Sequence, residues 1–429
     1  MVGLAPTFRD FVAETERSVF SECKLDGRSV ETEPLLNGAP YQIFRQSTEV
    51  ERRRTAGTFF TGSANAWKIA HQLHETIPAD SLVMDPTCGI GDLLLAYADH
   101  LPVEETLQQT LTNWGTQLSG LDLDAELVRL AKARLVLSAR LRGGFIDEIG
   151  NINELFPQIR VGDMMTAKRM LKKPDGFLFN PPFGVVKEVA DCSWSAGSVN
   201  SAALFLAELV TQKGSIAPIS AILPEVLRCG SRYEAFRNQL ERWGFWGSYQ
   251  SLGRFDSWTD VDVFSTLIVP SPGKRIWNSG DEGRKGQCVG DKFDVRVGTV
   301  VPHRHPKKGP WHRYICAKST PRWCDGFAPK SNRRFEGTVF EPPFVVVRRT
   351  SSPNDRYRAV ATAIVGDRPV AVENHLLVLL PKDGGLESCR QLVRLMGADE
   401  TNLFLNTRIR CRHLTTGVVA QIPWLEPND

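Results

Sequence analysis

Between residues 57 and 270 the chain alternates short apolar runs that stop at an acid or a proline with longer stretches of helical periodicity. Ser81-Leu82-Val83-Met84 is the first run, and it passes through Asp85-Pro86-Thr87-Cys88-Gly89-Ile90-Gly91-Asp92 into a helix with Leu93, Leu94, Leu95, Ala96 and Tyr97. Gln117 to Asp124 repeats the pattern, ending in acid before a helix that carries Leu127, Leu130, Ala131, Arg134 and Leu135. Ile159 to Met164 is a third strand with an acid at its end. Gly176-Phe177-Leu178-Phe179 is a fourth, and it stops at Asn180-Pro181-Pro182-Phe183, where two prolines remove ladder donors and fix φ. Ser201–Leu209 and Arg232–Leu240 read as further helices, Ser215–Leu223 and Val261–Val269 as further strands. Strands alternating with helices predict an α/β fold with a doubly wound, Rossmann-like sheet.

The flanks are less periodic. Residues 1–54 are expected to be a helical or irregular lead-in, with weak periodicity over Ala13–Cys23 and a turn over Glu33–Pro40. A helix follows through Trp67, Ile69, Ala70 and Leu73, with Thr61 or Ser63 as its cap. Residues 99–116 are read as a surface insertion or a longer helix, and residues 142–158 as another insertion. Residues 271–290, rich in Gly, Lys and Arg, read as a linker from the domain at 55–270 to a strand-rich α+β domain at 291–429.

The composition, 42% hydrophobic and 24% charged over 429 residues, is that of a globular protein. Arg9, Asp10, Glu14 and Glu16 exclude a secretory apolar segment at the start, and no run of apolar residues is long enough to span a bilayer. The 9 cysteines form no Cys-x-x-Cys pair, so neither a metal site nor a disulfide framework is expected, and a cytoplasmic location fits best. Charge is unevenly placed. Residues 271–360 hold 19 Lys and Arg against 8 Asp and Glu, a net of +11, whereas residues 1–270 hold 26 against 33. A basic block beside an acidic one suits a polyanion-binding module joined to a catalytic domain. Its candidate contacts are Arg333, Arg334, Arg348 and Arg349, interleaved with Trp311, Tyr314, Trp323 and Phe327.

Acids at the ends of three successive strands, followed by Asn-Pro-Pro-Phe at the fourth, carry the chemistry. Asp85 would repel a pyrophosphate but attract an amino group. Asp122 at the second strand tip is placed for ribose hydroxyls, Asp124 for capping the next helix, and Asp163 for an adenine amino group. The Asn180 amide and the Pro181 carbonyl can accept both hydrogens of an exocyclic NH₂ while Phe183 stacks on the ring that bears it.

In that order, Gly57-Thr58-Phe59-Phe60-Thr61, the Asp85–Asp92 turn, Leu121-Asp122-Leu123-Asp124, Gly162-Asp163-Met164-Met165 and Asn180–Phe183 resemble the amino-methylating DNA adenine-N6 methyltransferases. The resemblance is to the group whose target-recognition domain comes last, which includes type I modification subunits and type II adenine methylases. It implies S-adenosylmethionine as cofactor, held by Thr58, Phe59, Phe60, Thr61, Asp85, Thr87, Gly89, Gly91, Asp122, Leu123, Asp163 and Met164. It implies a target-adenine pocket of Asn180, Pro181, Pro182 and Phe183, with Phe255, or alternatively Trp258, as a second aromatic against the base. Double-stranded DNA is the implied partner, with room for a separate restriction endonuclease or specificity partner. Protein-glutamine and rRNA guanine methylases use a similar Asn-Pro-Pro-aromatic loop and remain alternatives, as does an inactive DNA-binding subunit.

Overall fold

The computed structural model describes residues 6–20, 33–47, 61–146, 149, 152–166, 173–187, 193–195, 197–211, 217–255, 261–271, 276–277 and 286–424. The chain divides into two units, Met1–Arg228 with Arg232–Trp277, and Cys229–Ser231 with Asn278–Asp429.

In the first unit α1 (Pro6–Phe20), α2 (Glu33–Leu36), α3 (Ala39–Gln46) and α4 (Ser63–His74) precede β1 (Val83–Asp85). Then come α5 (Asp92–Ala98), α6 (Leu107–Gln117), β2 (Leu118–Asp122), α7 (Ala125–Gly143), α8 (Ile152–Leu155), β3 (Ile159–Val161) and β4 (Gly176–Phe179). The short pair β5 (Val185–Val186) and β6 (Val199–Asn200) leads to α9 (Ser201–Thr211), β7 (Ile219–Pro224), α10 (Glu225–Cys229), α11 (Glu234–Arg242), β8 (Phe245–Gly247), β9 (Gln250–Arg254) and β10 (Asp262–Pro270).

The main sheet runs β3-β2-β1-β4-β7-β10-β8, with β9 also on β10. β3, β2, β1, β4 and β7 are mutually parallel, and β10 runs against β7, β8 and β9. β1 and β4, with Val83 opposite Gly176, sit where strand order reverses, the position at which open α/β sheets bind ligands. Both strands are buried throughout, as central parallel strands covered on two faces must be. This is the doubly wound sheet expected.

Three local expectations need correction. Of the two readings of residues 99–116 the helix holds and the surface insertion does not: Leu107–Gln117 is α6, capped by Thr106 and buried through Leu111 and Trp114. Within residues 33–40 the expected turn is confined to Asn37 and Gly38, between α2 and the start of α3. The lead-in has a core of its own, since Phe8, Val12 and Phe44 pack with Ile90, Leu127 and Leu130. Finally, the linker begins later than residue 271: Ile276 and Trp277 are buried in the first unit, and Trp277 Nε1 donates to Thr266 Oγ1 at 2.8 Å. A Cβ on Gly247 would lie 2.8 Å from that ring nitrogen, so only glycine admits the indole there.

The second unit contains α12 (Val289–Lys292), β11 (Phe293–Val297), β12 (Trp311–Ile315), β13 (Cys324–Phe327), β14 (Asn332–Arg334), β15 (Phe344–Arg348), β16 (Ala361–Ile364), β17 (Val370–Val372) and β18 (Leu376–Pro381). It ends in α13 (Leu386–Met396), α14 (Asp399–Arg408) and α15 (Thr416–Ala420). The strands make a five-stranded sheet, β11-β18-β15-β16-β13, and a three-stranded one, β14-β12-β17. Alternation along β15 explains the layering. Val345 and Val347 pack with Leu392, Val393 and Met396 of α13, whereas Phe344 and Val346 pack with Ile315, Val370 and Val372 of the smaller sheet.

Candidate active site

The Asp85–Asp92 turn and the Asn180–Phe183 loop are neighbours because β1 and β4 are neighbours. Asp85 ends β1 and is 2% exposed; the Thr87 amide donates to its Oδ1 at 3.0 Å. Burial, first, and the nearby carboxylates of Asp122 and Asp92 push its pKa from 3.8 up to about 8, against the pull of that amide. A carboxyl in this state gains from a cation beside it, which fits the amino group that the sequence assigns to it. The Cys88 thiol in the same turn is likewise held well above its ordinary pKa by burial and by Asp122 and Asp85, so it packs as a small apolar group.

The turn closes tightly onto α7. Gly91 has φ 84°, and a Cβ on it would stand 2.9 Å from that of Ala131, so both backbone conformation and helix approach demand glycine. Arg134 of α7 locks the arrangement from behind. It is 1% exposed and donates to the Ile90 carbonyl at 2.6 Å, to Asp92 Oδ1 at 2.8 Å, and to the Leu35 and Leu36 carbonyls at 2.9 Å each. The lead-in helices are thereby tied to the glycine turn. Arg129 adds a second tie through Glu16 of α1. The helical spacing sets Arg134 on the same face as Leu127, Leu130, Ala131 and Leu135, but its partners on the turn and the lead-in helices appear only in the fold.

Asp122 accepts from the Gly89 amide at 3.0 Å and from the Asp124 amide at 2.9 Å, so one carboxylate braces both the glycine turn and the start of α7. Asp124 caps that helix as expected, accepting from the Glu126 amide. Beside Asp122, Leu123 is 59% exposed, an apolar surface at the strand tip. Asp163 follows β3 and accepts from the Met165 amide at 2.9 Å, while Met164 is buried.

Thr61 does not cap α4. The cap is Gly62, with φ 70° and no side-chain bond, and the Thr61 hydroxyl instead accepts from Asn180 Nδ2 at 2.9 Å. Thr87 Oγ1 donates to the Asn180 carbonyl at 3.4 Å. Asn180 therefore draws together the start of α4, the β1 turn and the end of β4. Thr58, Phe59, Phe60 and Trp258 lie outside the described residues.

The proline loop is pinned from β6 and α9. Asn200 Nδ2 donates to the Phe183 carbonyl at 3.1 Å, Ser201 Oγ donates to the Gly184 carbonyl at 3.1 Å and also reaches the Pro182 carbonyl, and the Tyr233 hydroxyl accepts from the Asn200 amide. These supports escaped the sequence reading because they act on backbone carbonyls of a distant loop. Pro181 and Phe183 are buried. Phe183 and Phe255 meet edge to face, ring centroids 5.6 Å apart and planes at 86°, so these rings do not form a parallel sandwich for a base. Phe255 also lines a cavity of about 460 Å³ with Thr61, Trp67, Tyr41, Asp92 and Arg134.

The basic residues of the second unit divide. Arg333 is 7% exposed, donates to the His305 carbonyl at 2.8 Å and lies over the Tyr314 ring, which removes it from the candidate phosphate contacts. Arg334 is exposed. Arg348 donates to the Thr320 carbonyl at 3.0 Å, and burial followed by Arg322 holds its pKa below the ordinary value. Arg349 is half-buried. Among the described residues no His, Cys, Asp and Glu group is arranged to hold a metal, and no helix is long and apolar enough to cross a membrane.

No family model matches the sequence, and no curated protein matches it. Similarity appears in three dimensions. The type IIL restriction-modification enzyme MmeI, solved in complex with DNA, superposes with a TM-score of 0.54 at 12% identity, over 91% of this chain and 71% of that one. A DrdV–DNA complex gives 0.46 at 12% identity, over 62% of this chain and 32% of the other, and the type IIG restriction endonuclease BpuSI gives 0.41 at 13%, over 91% and 60%. The chain thus spans less than two thirds of the length of the latter two. At these identities the likeness to MmeI establishes a shared fold across nearly the whole of this chain.

Proposed function

We propose that the chain transfers a methyl group from S-adenosylmethionine to the N6 amino group of an adenine in DNA. The observation that carries this reading is the convergence of Thr61, Thr87 and Asn180 beside the buried Asp85 at the point where strand order reverses. The fold likeness to MmeI, a restriction-modification enzyme solved on DNA, supports DNA as the substrate.

When bound, the cofactor supplies a methyl group already activated by its sulfonium, so the protein has chiefly to align the acceptor. Asp85 would take the cofactor's amino group, Asp122 its ribose, and Asp163 with Met164 its adenine, Leu123 adding apolar contact. Thr58 to Thr61 and Thr87 would hold the methionine end. At the acceptor, the hydrogen bond from Nδ2 to Thr61 fixes which way the Asn180 amide points, and Oδ1 is the atom that would accept from the target amine. The Pro181 carbonyl would accept its other hydrogen, and Phe183 would stack on the ring. Accepting both hydrogens localises the nitrogen lone pair for in-line attack without a strong base. An adenine inside a duplex cannot reach this loop, so the base has to swing out of the stack, with Phe255 beside it. A separate endonuclease or specificity subunit is compatible with this activity.

The test is transfer of tritium from labelled cofactor to duplex DNA, followed by nucleoside analysis. Labelled N6-methyladenine is expected; label found in protein glutamine or in guanine of RNA would replace this reading with one of its alternatives.

A further inference from the structure

The three-stranded sheet of the second unit has two chemically different faces. β12 pairs with β14 so that Trp311 lies opposite Arg334 and Arg313 opposite Asn332, and it pairs in parallel with β17, Arg313 opposite Val370. Because side chains alternate along a strand, Tyr314 and Arg333 occupy one face, and Trp311, Arg313, Asn332 and Arg334 the other. The first face is closed, with Tyr314 packed on Val300, Phe335 and Ala371, and Arg333 buried over the tyrosine ring.

The second face is covered by the larger sheet at Ile315, Val370 and Val372 and is open at the end that carries Trp311 and Arg334. Trp311 is 70% exposed, and Arg334, Asn332 and Arg368 are exposed around it. A cleft of about 190 Å³ is lined by Trp311, Arg313, Asn332 and Arg368 among others. The guanidiniums are partly fixed. Arg313 Nη1 donates to the Lys330 carbonyl at 3.1 Å and to Asn332 Oδ1 at 3.2 Å, and Arg334 Nε donates to the Gly309 carbonyl at 2.7 Å. Exposed Arg304, Lys307, Lys308 and Lys330 add charge of the same sign, against exposed Glu336 and Asp367. A single exposed indole is ordinary on a protein surface, but here it stands among guanidiniums that share its cleft. It suits a partner that offers anions at regular spacing together with flat apolar rings.

We propose that this face grips duplex DNA, with Arg313, Arg334 and Arg368 on phosphates and Trp311 laid against sugar and base edges. The proposal rests on the DNA reading above and moves the contact from the partly buried Arg348 to the β14-β12-β17 sheet. Phosphate contacts release counterions and indole contacts do not. Salt dependence therefore separates the two roles.

The experiment measures duplex affinity of the full-length protein across a salt series, with melting temperatures to show that each variant is folded. Arg334→Glu with Arg368→Glu should weaken binding at least about tenfold and reduce the salt slope by roughly 0.9 for each phosphate no longer neutralised. Trp311→Ala should weaken binding several-fold with the slope unchanged, and Trp311→Phe should restore much of the loss. Arg390→Glu with Arg394→Glu, an equal charge change on α13, where both arginines pair with Glu387, should bind as wild type. Wild-type affinity and slope in the sheet variants, or an equal loss in the α13 variant, would overturn the assignment of the face. A wild-type protein with no salt-sensitive duplex binding would overturn the DNA reading itself, a result distinct from either.

Discussion

The Asn180 side-chain amide donates a 2.9 Å hydrogen bond to the Thr61 hydroxyl, 119 residues earlier in the chain. That bond makes the loop after β4 and the segment leading into α4 parts of one site, and it sets the rotation of the amide. Asn180→Ala is expected to keep S-adenosylmethionine affinity within a few-fold while transfer falls by about 10²-fold or more, as for loss of a group that acts on the reacting atoms. Thr61→Val leaves Asn180 present but without its orienting partner, and kcat should drop roughly five- to tenfold for a bond worth about 1 kcal/mol. Calorimetry and tritium transfer read the two effects separately, and full turnover in Asn180→Ala would remove it from the reaction.

If Asp85 takes the cofactor's amino group as proposed, cofactor binding should depend on pH. Its pKa near 8 means that the free protein holds a proton there at neutral pH, and a bound cation would expel it. Binding enthalpy measured at pH 7 in buffers of different ionisation heat should reveal close to one proton released, and Asp85→Asn should abolish the release along with most of the affinity. For the fold the sign is opposite to that of a salt-bridged acid. The stability this group confers is present in full below about pH 3.8 and is lost as pH rises toward 8, because the unfolded chain ionises first. Urea unfolding of Asp85→Asn should show a flatter dependence across that window, and identical profiles would contradict the assignment.

Arg134 is the buried hub behind the glycine turn. Arg134→Met leaves Asp92 and three backbone carbonyls without their donor, and breaking a buried pair of this kind costs roughly 3–5 kcal/mol. The urea midpoint should fall accordingly, with Arg134→Lys intermediate because an ammonium cannot replicate the guanidinium fork. A loss below about 0.5 kcal/mol in the methionine variant would show that the lead-in and the turn are held together by other interactions.

His71 and His74 of α4 stack with His100, ring centroids 5.3 and 4.7 Å from it, and Tyr97 of α5 completes the cluster. Burial, then His74 and His71, lower the pKa of His100 below 6.5. The folded state resists protonation, so stability is expected to decline as pH falls below about 6.5. Because α4 carries Thr61 at its start and α5 follows the glycine turn, cofactor affinity should decline with it. His100→Asn should make both pH profiles shallower; thermal melts and cofactor titrations between pH 5.5 and 7.5 that leave them unchanged would exclude the cluster as their origin.

What the sequence determined by itself is the run of strands with acids or Asn-Pro-Pro-Phe at their ends and the glycine turn after β1. Those features are local: apolar runs, proline geometry and helix caps such as Asp124 are set by residues a few positions apart. Which groups face one another was decided only by the tertiary structure. Thr61 reads as a helix cap, yet its hydroxyl takes the Asn180 amide because α4 packs on β4 and β7 and so sets its leading segment beside the loop after β4. Arg333 and Arg334 read as one basic patch, but strand alternation sends one under the sheet and the other into solvent, and the burial of Tyr314 fixes which is which. Arg134 shares the periodic face of α7, but its carbonyl partners lie far off in sequence; Thr266 is nearer to Trp277 in the chain, yet only the packed sheet presents its hydroxyl to the indole.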